Sequence, residues 1–380
     1  MTSSAPALIA WTVLGFSMIA VLFRLLWLFG SARSSERLVT YGLLLGTASG
    51  LLRERAVQDT LSGVLDIGFT RQLSTVVMVL TFVPLCLLAV SWSERWSEDA
   101  VRNTRYVWAA GYVSAVLMLI AGAHARSLGQ YIDRTPGWQT PLYFAFFSLW
   151  CGFTGALMAS TSIRELRAGD LRPLHRLTYL TITVIGLWAL EEAVSILVSS
   201  VCAATGTGHA FVEFRFRANE NNYIYLLAGG AIVAAGGVVA ELARRLRIDP
   251  ASRAVRQLYP MWADLVDACP EIPRPRAETR LPPRRRVHRT TVEIRDCLLV
   301  LGRFAEPVSA PGPAAEAEQI ANALQRKRSG AEPGPYRRLQ VSAPGRDIVD
   351  ETRALRRIAD HWAAPGPQYA SSLSDGDTAR

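Results

Sequence analysis

Apolar residues gather in seven long runs over the first 243 positions of the chain, and polar residues fill the intervals between the runs. About 20 apolar residues in a helix are enough to cross a bilayer. The pattern therefore predicts an all-α fold in which residues 1–243 form a seven-helix transmembrane bundle in the cell membrane. The predicted spans are residues 5–29, 38–56, 73–90, 106–123, 141–160, 177–204 and 223–243.

The second run is the weakest of the seven, because its apolar part covers only residues 38–52. It is a span only if the helix continues through Arg53 and Arg55. The same run carries three glycines four residues apart, which therefore lie on one helix face where a neighbouring backbone can approach closely. We expect that face to pack inside the bundle. The glycines are Gly42, Gly46 and Gly50.

The arginines between the runs predict an orientation, because loops rich in Arg and Lys stay in the cytoplasm. With the N-terminus outside, arginine is slightly more frequent in the inner loops. The segment after the last run adds Arg244, Arg245 and Arg247 to that side. An odd number of spans then places the N-terminus outside the cell and the C-terminal domain in the cytoplasm. With six spans, the N-terminus would lie inside instead.

The composition changes after the seventh run. The whole chain carries a net charge of +9 over 380 residues, and much of this excess follows residue 240. Helical spacing of apolar residues predicts a small cytosolic domain at 244–363, with mobile linkers rich in Pro and Gly, followed by a disordered tail at 364–380. Pro260 predicts a kink, a break or the start of a new helix. The expected helices lie near residues 253–272, 284–304, 314–328 and 346–363.

Two consecutive carboxylates, Glu191 and Glu192, lie near the middle of the sixth run. An ionised side chain at that depth costs roughly 3 kcal/mol, so it usually faces the bundle interior and has a partner. At 1.5 Å per residue, Glu191 and Arg53 lie about 21 and 22 Å from the inner ends of their helices. We therefore predict that Arg53 or Arg55 meets the carboxylates. The group is either a structural ion pair, a proton- or cation-linked site, or a polar ligand pocket.

Three other features receive simpler interpretations. Arg24, near the inner end of the first span, is expected to snorkel to the headgroups. The alternating residues 211–217 predict a short strand or an amphipathic loop at the interface. The basic run at 280–289 predicts contact with anionic lipid headgroups or a solvated face, and nucleic acid is not expected because no such motif is present. The arginines of that run include Arg284, Arg285, Arg286 and Arg289.

The sequence contains no P-loop, no GxSxG motif and no metal-ligand spacing, so we expect neither an enzyme nor a bound metal or cofactor. Two classes of function remain. The first is a signalling or scaffold protein that couples the bundle to the basic cytosolic domain and to an unidentified cytosolic protein. The alternative is an ion- or proton-linked transporter that uses Glu191 and Glu192, although the expected repeat between halves is missing.

The cytosolic residues resemble an actinobacterial family of multi-span membrane proteins. Members of that family are labelled as transporters and end in a cytosolic domain of unknown function. The resemblance implies a membrane bundle followed by such a domain, and it implies no catalytic residues. It rests on LYPMW, on the arginines that begin the next helix, and on an E-I-R-D run; the matching positions are Leu258, Pro260, Trp262, Arg284, Arg285, Glu293, Arg295 and Asp296.

Overall fold

The computed structural model describes residues 6–28, 34–91, 97–169, 173–272, 282–307, 312–337, 339 and 348–362. All regular elements in these ranges are helices, which confirms the predicted all-α fold. The chain divides into two compact units, Met1–Glu241 and Leu242–Arg380. We describe each unit by itself. The predicted disordered tail, 364–380, lies outside the described residues.

The first unit is a bundle of long helices joined by short segments. Two short α-helices and one 3-10 turn, η1, lie between the long ones. The helices are α1 (Ala7–Trp27), α2 (Ser34–Arg53), α3 (Arg55–Leu61), α4 (Ile67–Ser91), α5 (Ser97–Ala121), α6 (Ala123–Ser127), η1 (Ile132–Arg134), α7 (Gln139–Arg167), α8 (Pro173–Thr205) and α9 (His209–Arg245).

Within the part of the chain that the structure describes, six helices are long and apolar enough to cross a membrane, as judged by length and composition. They correspond to α1, α4, α5, α7, α8 and the helical stretch that begins with α9. The prediction of a seventh apolar span at 38–56 is wrong, because α2 carries too many polar residues, among them Glu36, Thr40 and Thr47. Several long apolar helices in one unit indicate a membrane-embedded protein.

Although α2 is polar, it lies among the apolar helices. Its buried face carries the three glycines spaced four residues apart, Gly42, Gly46 and Gly50. A Cβ added at Gly50 would lie 2.9 Å from Leu14 of α1 and 3.1 Å from Leu227 of α9. Ser49 donates to the backbone oxygen of Ser74 in α4 at 2.8 Å. Only a glycine lets these neighbours approach so closely at that level of α2.

Helices α7 and α8 form the closest pair in the bundle. A Cβ added at Gly155 would lie 2.7 Å from the carbonyl oxygen of Gly186. Ser148 donates to the carbonyl oxygen of Ala193 at 2.8 Å and ties the two helices further along their length. This contact fixes which face of α8 points into the bundle.

The second unit contains α10 (Pro250–Ala268), α11 (Pro283–Leu301), α12 (Pro313–Arg328) and α13 (Ile348–Ala359). The four helices that the periodicity predicts are therefore present. Asp249 caps α10 by accepting a bond from the Ser252 backbone N–H at 3.1 Å. Of the three outcomes predicted at Pro260, a break and the start of a new helix do not occur, since α10 continues through it. The side chains at the centre of the core are Leu258, Met261, Leu265, Ile294, Leu301, Ile320, Leu324 and Leu355.

Part of the predicted linker between α12 and α13, residues 329–345, is anchored to the end of α11. The backbone N–H of Gly334 donates to the carbonyl oxygen of Arg303 at 2.9 Å, and that of Arg337 donates to the carbonyl oxygen of Gly302 at 2.8 Å. A Cβ on Gly302 would lie 2.8 Å from the Arg337 oxygen. The rest of both linkers falls largely outside the described residues.

Candidate functional site

Glu192 is the centre of a hydrogen-bonded group between α8 and α9. Arg215 donates to it across 2.5 Å, and Asn222 donates through its amide at 3.0 Å. Arg215 and Asn222 are seven residues apart, so they lie on the same face of α9 two turns apart. The side chains of Glu192 and Arg215 are 15% and 6% exposed. The carboxylate is therefore paired within the bundle.

A small cavity lies beside this ion pair. Its volume is about 20 Å³, roughly that needed by one water molecule. Arg215 lines the cavity, and among the described residues its Nε has no hydrogen-bond acceptor. A buried donor in that state is costly, so the position favours a ligand with an acceptor atom. The other residues of the lining are Asp133, Phe144, Ile196, Ser199, Ser200, Val212, Phe216 and Asn219.

Two more arginines surround Phe216 at the edge of the cavity. The Arg71 guanidinium lies 4.6 Å from the ring centre of Phe216, and that of Arg134 lies 4.0 Å from it. Arg71 also pairs with Asp133 at 3.4 Å, and Arg134 pairs with Glu213. Cation–π contacts of this kind hold the guanidinium groups in place over the ring.

Arg53 reaches the same region from α2. It donates to Ser74 at 3.0 Å and to the backbone oxygen of Asn219 at 3.4 Å. Its guanidinium lies 4.5 Å from the ring centre of Tyr223. The contacts in this region therefore bring four arginines together with three carboxylates, and Glu213 also pairs with the exposed Arg217. The arginines are Arg53, Arg71, Arg134 and Arg215, and the carboxylates are Asp133, Glu192 and Glu213.

The structure thus separates the four residues that the sequence grouped. Glu192 and Arg53 both lie in this region, but the partner of Glu192 is Arg215 and not Arg53. Arg55 is 75% exposed and pairs with Asp59 at 3.8 Å. Glu191 is exposed and points about 100° away from Glu192 around α8. Counting along helix axes gives depth only, so it does not identify which helices are neighbours.

The interpretation of residues 211–217 as a strand or loop is wrong, because α9 begins at His209. Val212, Arg215 and Phe216 are buried there, and Asn219 faces the same cavity. These positions follow helical spacing, i, i+3, i+4 and i+7. That spacing was the available signal, and the strict alternation of Phe and Arg concealed it.

The snorkelling interpretation of Arg24 is also wrong. Its side chain is 1% exposed and pairs with Glu36 of α2 at 2.7 Å. It donates as well to the Thr40 hydroxyl at 3.1 Å and to the Ala234 carbonyl of α9 at 2.6 Å. One guanidinium therefore links α1, α2 and α9 at the end of the bundle away from the cavity.

In the second unit, the conspicuous polar residues stabilise helix contacts. Trp262 donates its indole N–H to Glu293 at 2.7 Å, and Arg289 donates to the other oxygen of Glu293 at 2.7 Å. Arg295 pairs with Glu351 of α13. Asp296 is half-buried, whereas Arg284, Arg285 and Arg286 are exposed at the start of α11.

Residues 247–364 match a family of unknown function (DUF6545). No curated protein and no solved structure matches the chain. The matched range covers the helices α10 to α13 of the second unit. The domain of unknown function that the resemblance implies is therefore present, whereas the match says nothing about transport or about the source of the chain.

The bundle site has the chemistry of a small polar binding site. The Arg215 guanidinium, the Asn219 amide and two serine hydroxyls line one cavity with aromatic walls, together with the Asp133 carboxylate. Groups of three or more His, Cys, Asp or Glu that could hold a metal are absent from the part of the chain that the structure describes. The donors favour a ligand that accepts hydrogen bonds or carries negative charge.

Proposed function

We propose that this protein is a membrane signalling protein that binds a small anionic or acceptor-rich ligand in its bundle and passes the change to its cytosolic domain. The observation that carries the proposal is the extent of α9. Arg215, Phe216 and Asn219 line the cavity from its first turns, and the helix continues to Arg245. The domain that matches DUF6545 follows immediately in the chain.

Helix α9 is suited to such coupling because a continuous helix moves as one element. The 30 residues from Arg215 to Arg245 span about 45 Å at 1.5 Å per residue. A ligand shifts an equilibrium only if it binds one state more tightly than the other. The Nε of Arg215, which has no acceptor among the described residues, supplies such a difference if ligand binding pulls Arg215 away from Glu192.

The directions of the helices support the proposal that the N-terminus and the C-terminal domain lie on opposite sides of the membrane, and the arginines that follow α9 favour the cytoplasm for the domain. Leu14 of α1 and Leu227 of α9 both approach Gly50, and ten residues further along α1, Arg24 bonds Ala234 of α9. Helices α1 and α9 therefore run in the same direction, and α2 runs opposite to both. We propose that α2 also crosses the bilayer, sheltered by its neighbours, so that the beginning of α1 and the end of α9 lie on opposite sides.

The exposed arginines of α11 are proposed to contact anionic headgroups or a cytosolic protein. Arg284, Arg285 and Arg286 lie together at the start of α11, while Arg289 is held by Glu293. Each arginine near an anionic surface contributes about 1 kcal/mol. Hydrogen exchange at the start of α11 should slow when nanodiscs of neutral lipid are replaced by anionic ones. Equal exchange in both lipids would exclude contact with anionic headgroups, and contact with a cytosolic protein would remain the proposal.

The coupling can be tested without knowing the ligand. We expect Glu192→Gln, which weakens the pair with Arg215, to change amide exchange in α10 of the full-length protein in nanodiscs. Asp59→Asn makes the same chemical change at an exposed position, where the carboxylate is 66% exposed. It should leave α10 unchanged. If the effect of Glu192→Gln stops within α8 and the first half of α9, the signalling proposal fails.

A transporter is the second candidate, favoured by the position of the Glu192–Arg215 pair beside a polar cavity. A proton- or ion-linked mechanism would require Glu192 to leave Arg215 during each cycle. Flux measured in proteoliposomes should then be lost in Glu192→Gln. Flux that persists in this variant, or that is absent from the wild type, favours signalling.

A further inference from the structure

Helix α8 uses only one of its faces within the bundle. Gly186 and Ala193 lie against α7 on that face. The opposite face is exposed along the length of the helix. Only 17% of the apolar 18-residue stretch of α8 is buried, compared with 67% of the corresponding stretch of α4. Helix α8 therefore lies at the edge of the bundle, with a long face directed outward.

Glu191 lies at the centre of this outward face. It follows Arg176 by 15 residues and precedes Thr205 by 14, so it is about 22 and 21 Å from the ends of the apolar segment. It is exposed, and no other described residue supplies it with a hydrogen bond or an ion pair. An ionised carboxylate facing lipid at that depth costs roughly 3 kcal/mol or more. This face consequently requires a contact that supplies a hydrogen bond.

The exposed residues around Glu191 follow steps of four and three, which is a seven-residue repeat. One position of the repeat holds Val184, Glu191 and Val198, and the other holds Leu180, Leu187 and Val194. Valine at the first position with leucine at the second favours parallel two-stranded packing. A single polar residue at the first position fixes register and oligomeric state. An ordinary lipid-facing helix has no reason to carry that residue.

We propose that this face of α8 binds the same face of a second copy of the chain within the membrane. Both copies insert with the same orientation, so their α8 helices are parallel, and a two-fold axis brings each residue of the seam opposite its own equivalent. The two Glu191 carboxyls then meet. A carboxyl O–H of one copy can donate to a carboxyl oxygen of the other, which supplies the hydrogen bond that this face lacks.

Disulfide crosslinking in native membranes tests the contact. Val184→Cys and Val198→Cys, made separately in the full chain with Cys202→Ser, should each give crosslinked homodimers. Val116→Cys is the control, because Val116 is also a valine in an apolar helix, α5, and is 56% exposed. The proposal is overturned if the two seam positions crosslink no more than the control. It is also overturned if they crosslink to a different protein.

The role of Glu191 is tested by dimer dissociation in mild detergent. Glu191→Leu removes the hydrogen bond while keeping an apolar surface, and should weaken dimerisation about tenfold. Glu191→Gln can still donate and accept across the seam, so it should remain within about threefold of the wild type. If Glu191→Leu dimerises as tightly as the wild type, the carboxyl pair is not what joins the copies.

Discussion

Replacing Arg24 by leucine should destabilise the bundle by about 3 kcal/mol. Arg24 donates to the Thr40 hydroxyl, the Ala234 carbonyl and the Glu36 backbone, and it pairs with the Glu36 carboxylate. Three hydrogen bonds to uncharged acceptors at about 0.6 kcal/mol each, the mean inside membrane bundles, give about 2 kcal/mol. The orphaned carboxylate adds only about 1 kcal/mol, because Glu36 is 39% exposed and water can solvate it.

Thermal unfolding of the detergent-solubilised chain measures this loss. At about 2–4 °C per kcal/mol, Arg24→Leu should lower Tm by about 6–12 °C. Arg55→Leu is the matched control, because Arg55 is 75% exposed and its loss should change stability by at most about 0.5 kcal/mol. Removing Glu36 as well should recover part of the loss. A Tm for Arg24→Leu equal to that of Arg55→Leu would show that Arg24 does not link α1, α2 and α9.

Three further predictions follow from single contacts. Gly155→Leu should overpack against Gly186 and lower the stability measured by thermal unfolding by about 1–3 kcal/mol. A loss below about 0.5 kcal/mol, which is the usual range of neutral surface changes, would contradict the close α7–α8 contact. Asp249→Ala removes the cap of α10 and should cost about 1 kcal/mol, with increased exchange confined to the first turn. Lys327 pairs with Glu271 and lowers the pKa of that carboxyl. The small stability that this ion pair contributes should be fully present above the ordinary pKa of a Glu side chain and should be lost as the pH falls through the lowered pKa. Lys327→Met should abolish this loss of stability in acid.

The long helices could be predicted because burial in lipid or in a core imposes a simple pattern. Runs of apolar residues located the spans, and the 3.6-residue period by itself located α10 to α13. The same logic fails for α2. Its polar groups are satisfied by neighbouring helices, as Ser49 is by Ser74, and hydropathy does not register such partners. Apolarity, and not length, therefore separates α2 from the six other helices.

The candidate site was harder to predict because its contacts join distant segments. The sequence identified Glu192 as a residue that needs a partner, and a partner exists. It is Arg215 rather than Arg53, since α9 begins earlier than its apolar run and folds back along α8. Arg24 was misread for a related reason, because its partner Glu36 lies on the next helix. The depth of a residue along its helix does not determine which helices lie beside it.

In the proposed function, α9 carries the chain across the bilayer from the polar site to the domain that matches DUF6545. Single cysteines placed at Thr207 and at Arg253, both exposed, can be tested with a membrane-impermeant maleimide, with the parent protein as the background control. We predict that Thr207→Cys reacts in intact cells and that Arg253→Cys reacts only after permeabilisation. Labelling of both positions from the same side of the membrane, or of Arg253→Cys alone in intact cells, would contradict the account.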